Sequence, residues 1–245
     1  MRREETALEA EQGPALPPPA YHQPNNQSYP PPPNGGGDDF ESIPTNHVSV
    51  TDVNSISGVW TIDTSWVPPR NAFGADFSVP FHGDESRNIT LQSESGSIEA
   101  KIRLVGDNQD AAVFNLETKN SDINVSVVSR WNQQPFVLYV TSTSGNLEIR
   151  VPRDFHGSII HETASSTYTT FSPGVNPHRT TISMINGSGK TFVARHKEGD
   201  TKRQSASEWT GDRIVAKTER GCIYFAYEDE PQRSVIGAFF RKLFG

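Results

Sequence analysis

The chain has 245 residues, a formal net charge of −7 and an apolar fraction of 33%, with 19 glycines and 18 prolines. That length holds one sizeable core, the low apolar content leaves part of the chain too polar to fold, and the acidic balance excludes a nucleic-acid backbone as main partner. A single cysteine, Cys222, excludes an intramolecular disulfide and a thiolate metal cluster.

The opening residues, MRREETALEAEQG, mix both signs of charge and have no apolar core, and no later stretch reaches membrane-spanning length. The expectation is an intracellular, cytoplasmic protein that is not secreted by a signal peptide. Arg2 and Arg3 stand against Glu4, Glu5, Glu9, Glu11, Asp38, Asp39 and Glu41, so most of the negative charge belongs to the first residues. Residues 13–37, GPALPPPAYHQPNNQSYPPPPNGGG, combine proline runs, amides and a glycine triplet with almost no aliphatic side chain. Such a segment cannot offset its ordering entropy, and residues 1–47 are expected to form a disordered, proline-rich tail with polyproline II character. Within it Pro18, Pro19, Ala20 and Tyr21 spell the P-P-x-Y ligand of WW domains, whose aromatic groove takes a preformed polyproline helix. Pro18, Pro19 and Tyr21 are therefore the candidate partner-binding residues, and a WW-domain protein is the candidate partner.

From Val48 the composition changes to apolar residues alternating with Ser and Thr, the pattern of half-buried strands. An internal repeat emerges when the chain is aligned on Ile98, Ile123, Leu147, Tyr168 and Ile223. Nine residues before each anchor stand Ile89, Phe114, Leu138, Ile159 and Ile214. Five before stand the hydroxyl residues Ser93, Thr118, Ser142, Thr163 and Thr218, and two before stand the small residues Gly96, Ser121, Gly145, Ser166 and Gly221. Odd offsets share a strand face, a small residue permits a tight turn, and the anchor begins a second strand. Each copy thus reads as two short strands and a turn. Copies roughly two dozen residues apart suit stacked units, with the hydroxyls as an internally bonded ladder. The long gap before the last copy leaves room for two more irregular units. Residues 48–230 are accordingly expected to form one repetitive all-β domain, a β-solenoid or β-roll with two short strands per repeat, with a β-sandwich as the alternative.

Inside that gap, residues 184–191 read MINGSGKT and resemble a phosphate-binding loop, in which backbone N–H groups cradle phosphate and a lysine reaches the outer oxygens. Met184 occupies the place of the first glycine, and Thr191, Phe192 and Val193 favour a strand where a helix is needed. The stretch reads instead as a hairpin turn through Asn186-Gly187-Ser188-Gly189 between TTISMI and KTFVAR. No cofactor is implied.

The seven histidines, at 22, 47, 82, 156, 161, 178 and 196, show no metal-ligand spacing and are expected mostly at the surface. Cys222 is expected to be a buried, inert thiol within the last strand. Glu228, Asp229 and Glu230 read as a solvated end to that strand, and no catalytic residue or metal site is implied. Residues 231–245 follow as an amphipathic C-terminal helix: Val235, Ile236, Phe239, Phe240, Leu243 and Phe244 recur at helical spacing. Its apolar face is expected to cap the β-array, with membrane-surface contact beside Arg233, Arg241 and Lys242 as the alternative.

The blocks ISGVWTIDTSWVPP (56–69), NITLQSESGSIEAKIRL (88–104), LYVTSTSGNLEIRVPRDFHG (138–157) and EWTGDRIVAKTERGCIYFAYEDE (208–230) resemble a fungal family of unknown function. Its repeated S-x-x-G-S-I block, P-R-x-F-x-G segment and late W-x-G-D block match over about residues 50–245. KNSDI in the second copy lacks the glycine and ASSTY in the fourth is degraded, which affects the register of those copies. The repeats also resemble bacterial adhesin-type β-solenoid domains, which implies stacked β structure and carries no catalytic residues. A non-enzymatic interaction or scaffold protein is the function expected; a carbohydrate-active β-solenoid enzyme or a peripheral membrane-binding protein is the alternative.

Overall fold

The computed structural model describes residues 43–65, 87–107, 110–194 and 211–231. Pro18, Pro19 and Tyr21 of the tail lie outside the described residues, as does the expected C-terminal helix beyond Pro231.

The described residues form an all-β structure of two open, predominantly parallel sheets. Eight strands alternate between the sheets in chain order: β1 (Val48–Asp52) and β2 (Ile56–Asp63), β3 (Ile89–Ser93) and β4 (Ile98–Val105), β5 (Ala112–Thr118) and β6 (Ile123–Arg130), then β7 (Phe136–Ser142) and β8 (Leu147–Val151). The odd-numbered strands pair in parallel in the first sheet and the even-numbered ones in the second. Each strand therefore lies beside the one two places earlier. Burial alternates along them: Ile98, Ala100, Ile102 and Leu104 of β4 point inward, and Glu99 and Lys101 between them face solvent. The inward rows of both sheets share one apolar core, in which Phe114, Leu138, Ile149 and Ile214 are fully buried. Tight turns join β1 to β2, β3 to β4, β5 to β6 and β7 to β8 at one edge, and the even-numbered strands end at the other.

The second half breaks chain order. It contains β9 (Gly157–Glu162), β10 (Thr169–Phe171), β11 (Arg179–Ile185), β12 (Ser188–Val193), β13 (Asp212–Thr218) and β14 (Ile223–Tyr227). The first sheet is ordered β1-β3-β5-β7-β13-β9-β12-β11 and the second β10-β14-β8-β6-β4-β2. The last copy is thus intercalated: β13 pairs in parallel with both β7 and β9, while β14 pairs with both β8 and β10. β9 and β10 therefore sit one place further from β7 and β8 than chain order would put them, with β13 and β14 between.

Three expectations change accordingly. In place of two further irregular units, the described part of the long gap holds an antiparallel hairpin, β11 on β12, attached antiparallel to β9. The fourth anchor shifts by one residue, because Thr169, not Tyr168, stands opposite Ile223 and Phe171 opposite Phe225. A 3-10 turn over Ser166–Tyr168 takes up the extra residue. The expected turn at MINGSGKT is present but shorter, with Asn186 (φ 47°) and Gly187 (φ 85°) as the two left-handed residues and Ser188 already in β12. This is the Asn-Gly signature of a two-residue hairpin.

The hydroxyl positions hold the tight-turn edge together. Ser93 Oγ donates to the Asn54 carbonyl (2.8 Å), Thr118 Oγ1 to that of Gly96 (3.1 Å), Ser142 Oγ to that of Ser121 (3.0 Å), and Thr218 Oγ1 to that of Gly145 (2.9 Å). Ser93, Ser142 and Thr218 also accept from the N–H three residues on, at Gly96, Gly145 and Gly221. Each of these three hydroxyls thereby satisfies two backbone groups of the tight turns. The row passes from Gly145 to Thr218 and skips Thr163, which bonds the carbonyls of Ser165 and Gly187 instead. A side chain at Gly221 would collide with the Gly145 carbonyl oxygen, so the turns pack at backbone contact.

Candidate functional site at the long-connection edge

The opposite edge gathers the charged side chains. Arg130, the last residue of β6, has only 3% of its side chain exposed, and its Nη1 lies 2.6 Å from Asp212 Oδ1, equally buried at the start of β13. Its Nε sits 3.1 Å from the Asp154 carboxylate, its Nη2 donates to the Asp154 carbonyl, and its guanidinium lies 5.7 Å from the Phe136 ring centroid. Asp212 also accepts from the N–H of Phe136 (3.2 Å), where β7 begins, and of His156 (2.9 Å), just before β9. One carboxylate thus satisfies the strand before and the strand after the intercalated β13. Burial pushes the Asp212 carboxyl up, against the opposing pull of Arg130 and of those two N–H groups. Gly157 packs its bare backbone on Asp212, where a Cβ would collide.

The P-R-x-F-x-G and G-D blocks of the sequence meet here. Arg153 stacks 4.5 Å from the Tyr227 ring centroid and pairs with Asp229 at 2.8 Å. Arg150 pairs with Glu148 (2.7 Å) and donates to the Glu230 carbonyl (2.6 Å). Glu230 accepts from the N–H of Tyr227 (2.8 Å), the N–H of Gly174 (2.9 Å) and the Ser172 hydroxyl. Burial raises the Glu230 carboxyl, but those hydrogen bonds and Arg153 outweigh it and leave it below its ordinary value. Glu230 is therefore a clasp between the end of β14 and the loop after β10, while Asp229 stays exposed as expected of a solvated strand end.

Beside Arg130, Trp131 is 40% exposed, and the next two residues hold positive φ, Asn132 at 51° and Gln133 at 55°. Left-handed backbone at two consecutive non-glycine residues is costly, and the surrounding contacts must hold it in place. Gln134 supplies one such contact: it is buried, with its amide oxygen accepting from Thr64 (3.0 Å) and its amide nitrogen donating to the Asp110 carbonyl (3.2 Å).

Chemically this edge is built to hold strands. Asp154 and Asp212, the two carboxylates that converge, do so on one guanidinium. Among the described residues no group of three or more His, Cys, Asp or Glu could hold a metal ion, and no helix is long and apolar enough to cross a membrane. Cys222 is an exposed thiol just before β14, not a buried one within it, because the turn puts alternate side chains outside and Ile223 takes the inward place. His47 and His156 are exposed and His178 is half-buried, whereas His161, fully buried on the inward face of β9, is an exception to the surface position expected for most histidines. Sequence reasoning did not single out Arg130, Asp212 or His161. The late W-x-G-D block carried the signal for Asp212, and the inward position two residues after Ile159 carried it for His161.

Fold and edge together define a two-sheet all-β domain whose charged residues at the long connections serve its assembly. Residues 46–230 match the family model of DUF7330, a domain of unknown function, and the chain belongs to that family. No curated protein and no solved structure matches the chain.

Proposed function

We propose that this protein is a non-enzymatic interaction or scaffold protein: a β-solenoid domain of two strands per turn over residues 48–230, preceded by a ligand-bearing tail. What carries the reading is the use of its polar side chains. The Ser/Thr row is bonded to turn backbone, and Asp212 is committed to Arg130, Phe136 and His156, so neither set presents free groups for chemistry. The solenoid description is supported by parallel, in-register pairing of alternate strands; a β-sandwich uses antiparallel sheets. In this reading the tail from residue 1 to 47 recruits WW-domain proteins through Pro18, Pro19 and Tyr21, inside the cell, where an exposed free thiol such as Cys222 stays reduced. Affinity purification of the full chain with Tyr21→Ala tests it. The variant is expected to lose its WW-domain partners while the domain stays folded; retention of every partner overturns the reading.

A further inference from the structure

The register of the first sheet puts His161 in a row that is otherwise aliphatic or bare: Leu91, Leu116, Val140, Ala216, His161, Gly189. Its side chain is 0% exposed. Nδ1 lies 3.1 Å from Thr169 Oγ1, whereas Nε2 is buried without a hydrogen-bond partner and faces the backbone of Gly189, where a Cβ would collide with it. The rings of Phe171 and Phe225 flank the imidazole at 6.3 and 6.5 Å between centroids. A neutral imidazole fits, with the proton on Nδ1 donated to Thr169 and a bare nitrogen against Gly189. An imidazolium does not, because it buries a second N–H and a charge with nothing to receive either.

We propose that His161 is an acid-sensitive latch for the unit formed by β9, β10, β11 and β12, so that its protonation opens residues 157–193 while β1 to β8, β13 and β14 stay folded. The topology makes separate opening feasible. With β13 already on β7 and β14 on β8, loss of the β9–β13 and β10–β14 ladders leaves every other parallel pairing in register. Release uncovers the outer edges of β13 and β14, which are strands able to accept a new partner.

The charges around His161 set the direction. Arg179, at the start of β11 and 4.7 Å from the Phe171 ring centroid, adds like-charge repulsion to the dominant effect of burial, and both hold the imidazole below its ordinary value of 6.5. Glu162, Lys190 and Lys217 occupy the alternate positions of β9, β12 and β13 and face outward, and β10 and the facing part of β14 contribute Thr169, Phe171 and Phe225. A depressed histidine contributes stability that is present above its unfolded value and lost as pH falls below it. Burial raises Asp212 and Glu228, whose contributions strengthen as pH falls, so they oppose the effect. Glu230, held below 4.5, titrates beneath the window.

Hydrogen exchange on the full chain from about pH 7.5 to about pH 5, corrected for the intrinsic rate, tests the latch. Opening of 157–193 is expected to rise about tenfold per pH unit below the ordinary imidazole value, with β3 to β8 unchanged. His161→Leu, which places the residue found at 91 and 116, is expected to abolish that slope, and His161→Gln provides a second neutral variant should the first not fold. Any of three results overturns the proposal: protection of 157–193 that does not vary with pH, a slope that persists in the neutral variants, or opening of the whole chain together.

Discussion

The strand pairs from β3 to β8 and the pair β9 and β10 share one sequence pattern but not one mode of attachment. In the first region each strand pairs with the strand two places earlier, so pairing within the region follows chain order. In the second, β9 and β10 are held by β13 and β14, which come later in the chain, and by a clasp at Glu230. The difference teaches that stacking compatibility and stacking order are separate properties. Inward aliphatics, a hydroxyl and a small turn residue make a copy fit beside any other copy; the junction chemistry at Arg130, Asp212 and Gly157 selects its neighbour.

The sharpest way to break the contrast is Asp212→Ala. It leaves buried Arg130 with only the half-exposed Asp154 as counter-charge and removes the acceptor of two strand-end N–H groups, and should lower unfolding free energy by about 3 kcal/mol in urea titration. Adding Arg130→Met should recover part of that loss; no coupling between the two changes would dismiss the junction as the organising contact. Next in size is Leu138→Ala, at a fully buried position between Phe114 and Ile214, with an expected cost of about 3 kcal/mol and a global drop in hydrogen-exchange protection. Thr218→Val, which deletes the ladder bonds to Gly145 and Gly221, should cost about 1–2 kcal/mol, and a null result would show that water replaces those bonds. Gly187→Ala, at φ 85° and with a Cβ that would collide with the Thr163 carbonyl oxygen, should cost about 1–2 kcal/mol and loosen β11, β12 and the adjoining end of β9; equal loosening of β3 to β8 would erase the regional distinction.

The weakest effect concerns pH. Because the Glu230 carboxyl is depressed when folded, its contribution is present above its unfolded value near 4.5 and disappears as pH falls through the folded one. Glu230→Gln should flatten the acid limb of the stability profile of the full chain. An acid limb unchanged by that variant would mean that other carboxylates govern it.

Much of the fold was legible residue by residue. The alternation in NITLQSESGSIEAKIRL marks two strands and a turn, and Asn186-Gly187 marks a hairpin, because strand periodicity and left-handed turn geometry are local properties of the chain. The fourth anchor was misplaced at Tyr168 because a one-residue insertion in a degraded copy leaves no trace in composition; only pairing with Ile223 at Thr169 reveals it. Cys222 and Glu230 were misread for a related reason. Whether a thiol at a turn points outward, or a carboxylate meets Ser172 and Gly174, depends on backbone that is distant in the chain.

By itself, then, the sequence determined most of the strand-forming segments, their inward faces, the turn positions and the exclusion of an intramolecular disulfide, since each follows from spacing and composition. The tertiary structure alone decided that β13 and β14 enter between earlier strand pairs, that Asp212 is a buried junction and that His161 sits in an aliphatic row. The physical reason is that a repetitive pattern makes alternative neighbours nearly equivalent in apolar burial. The choice among them falls to a few polar contacts between residues such as Arg130 and Asp212, which stand more than a third of the described fold apart in the chain.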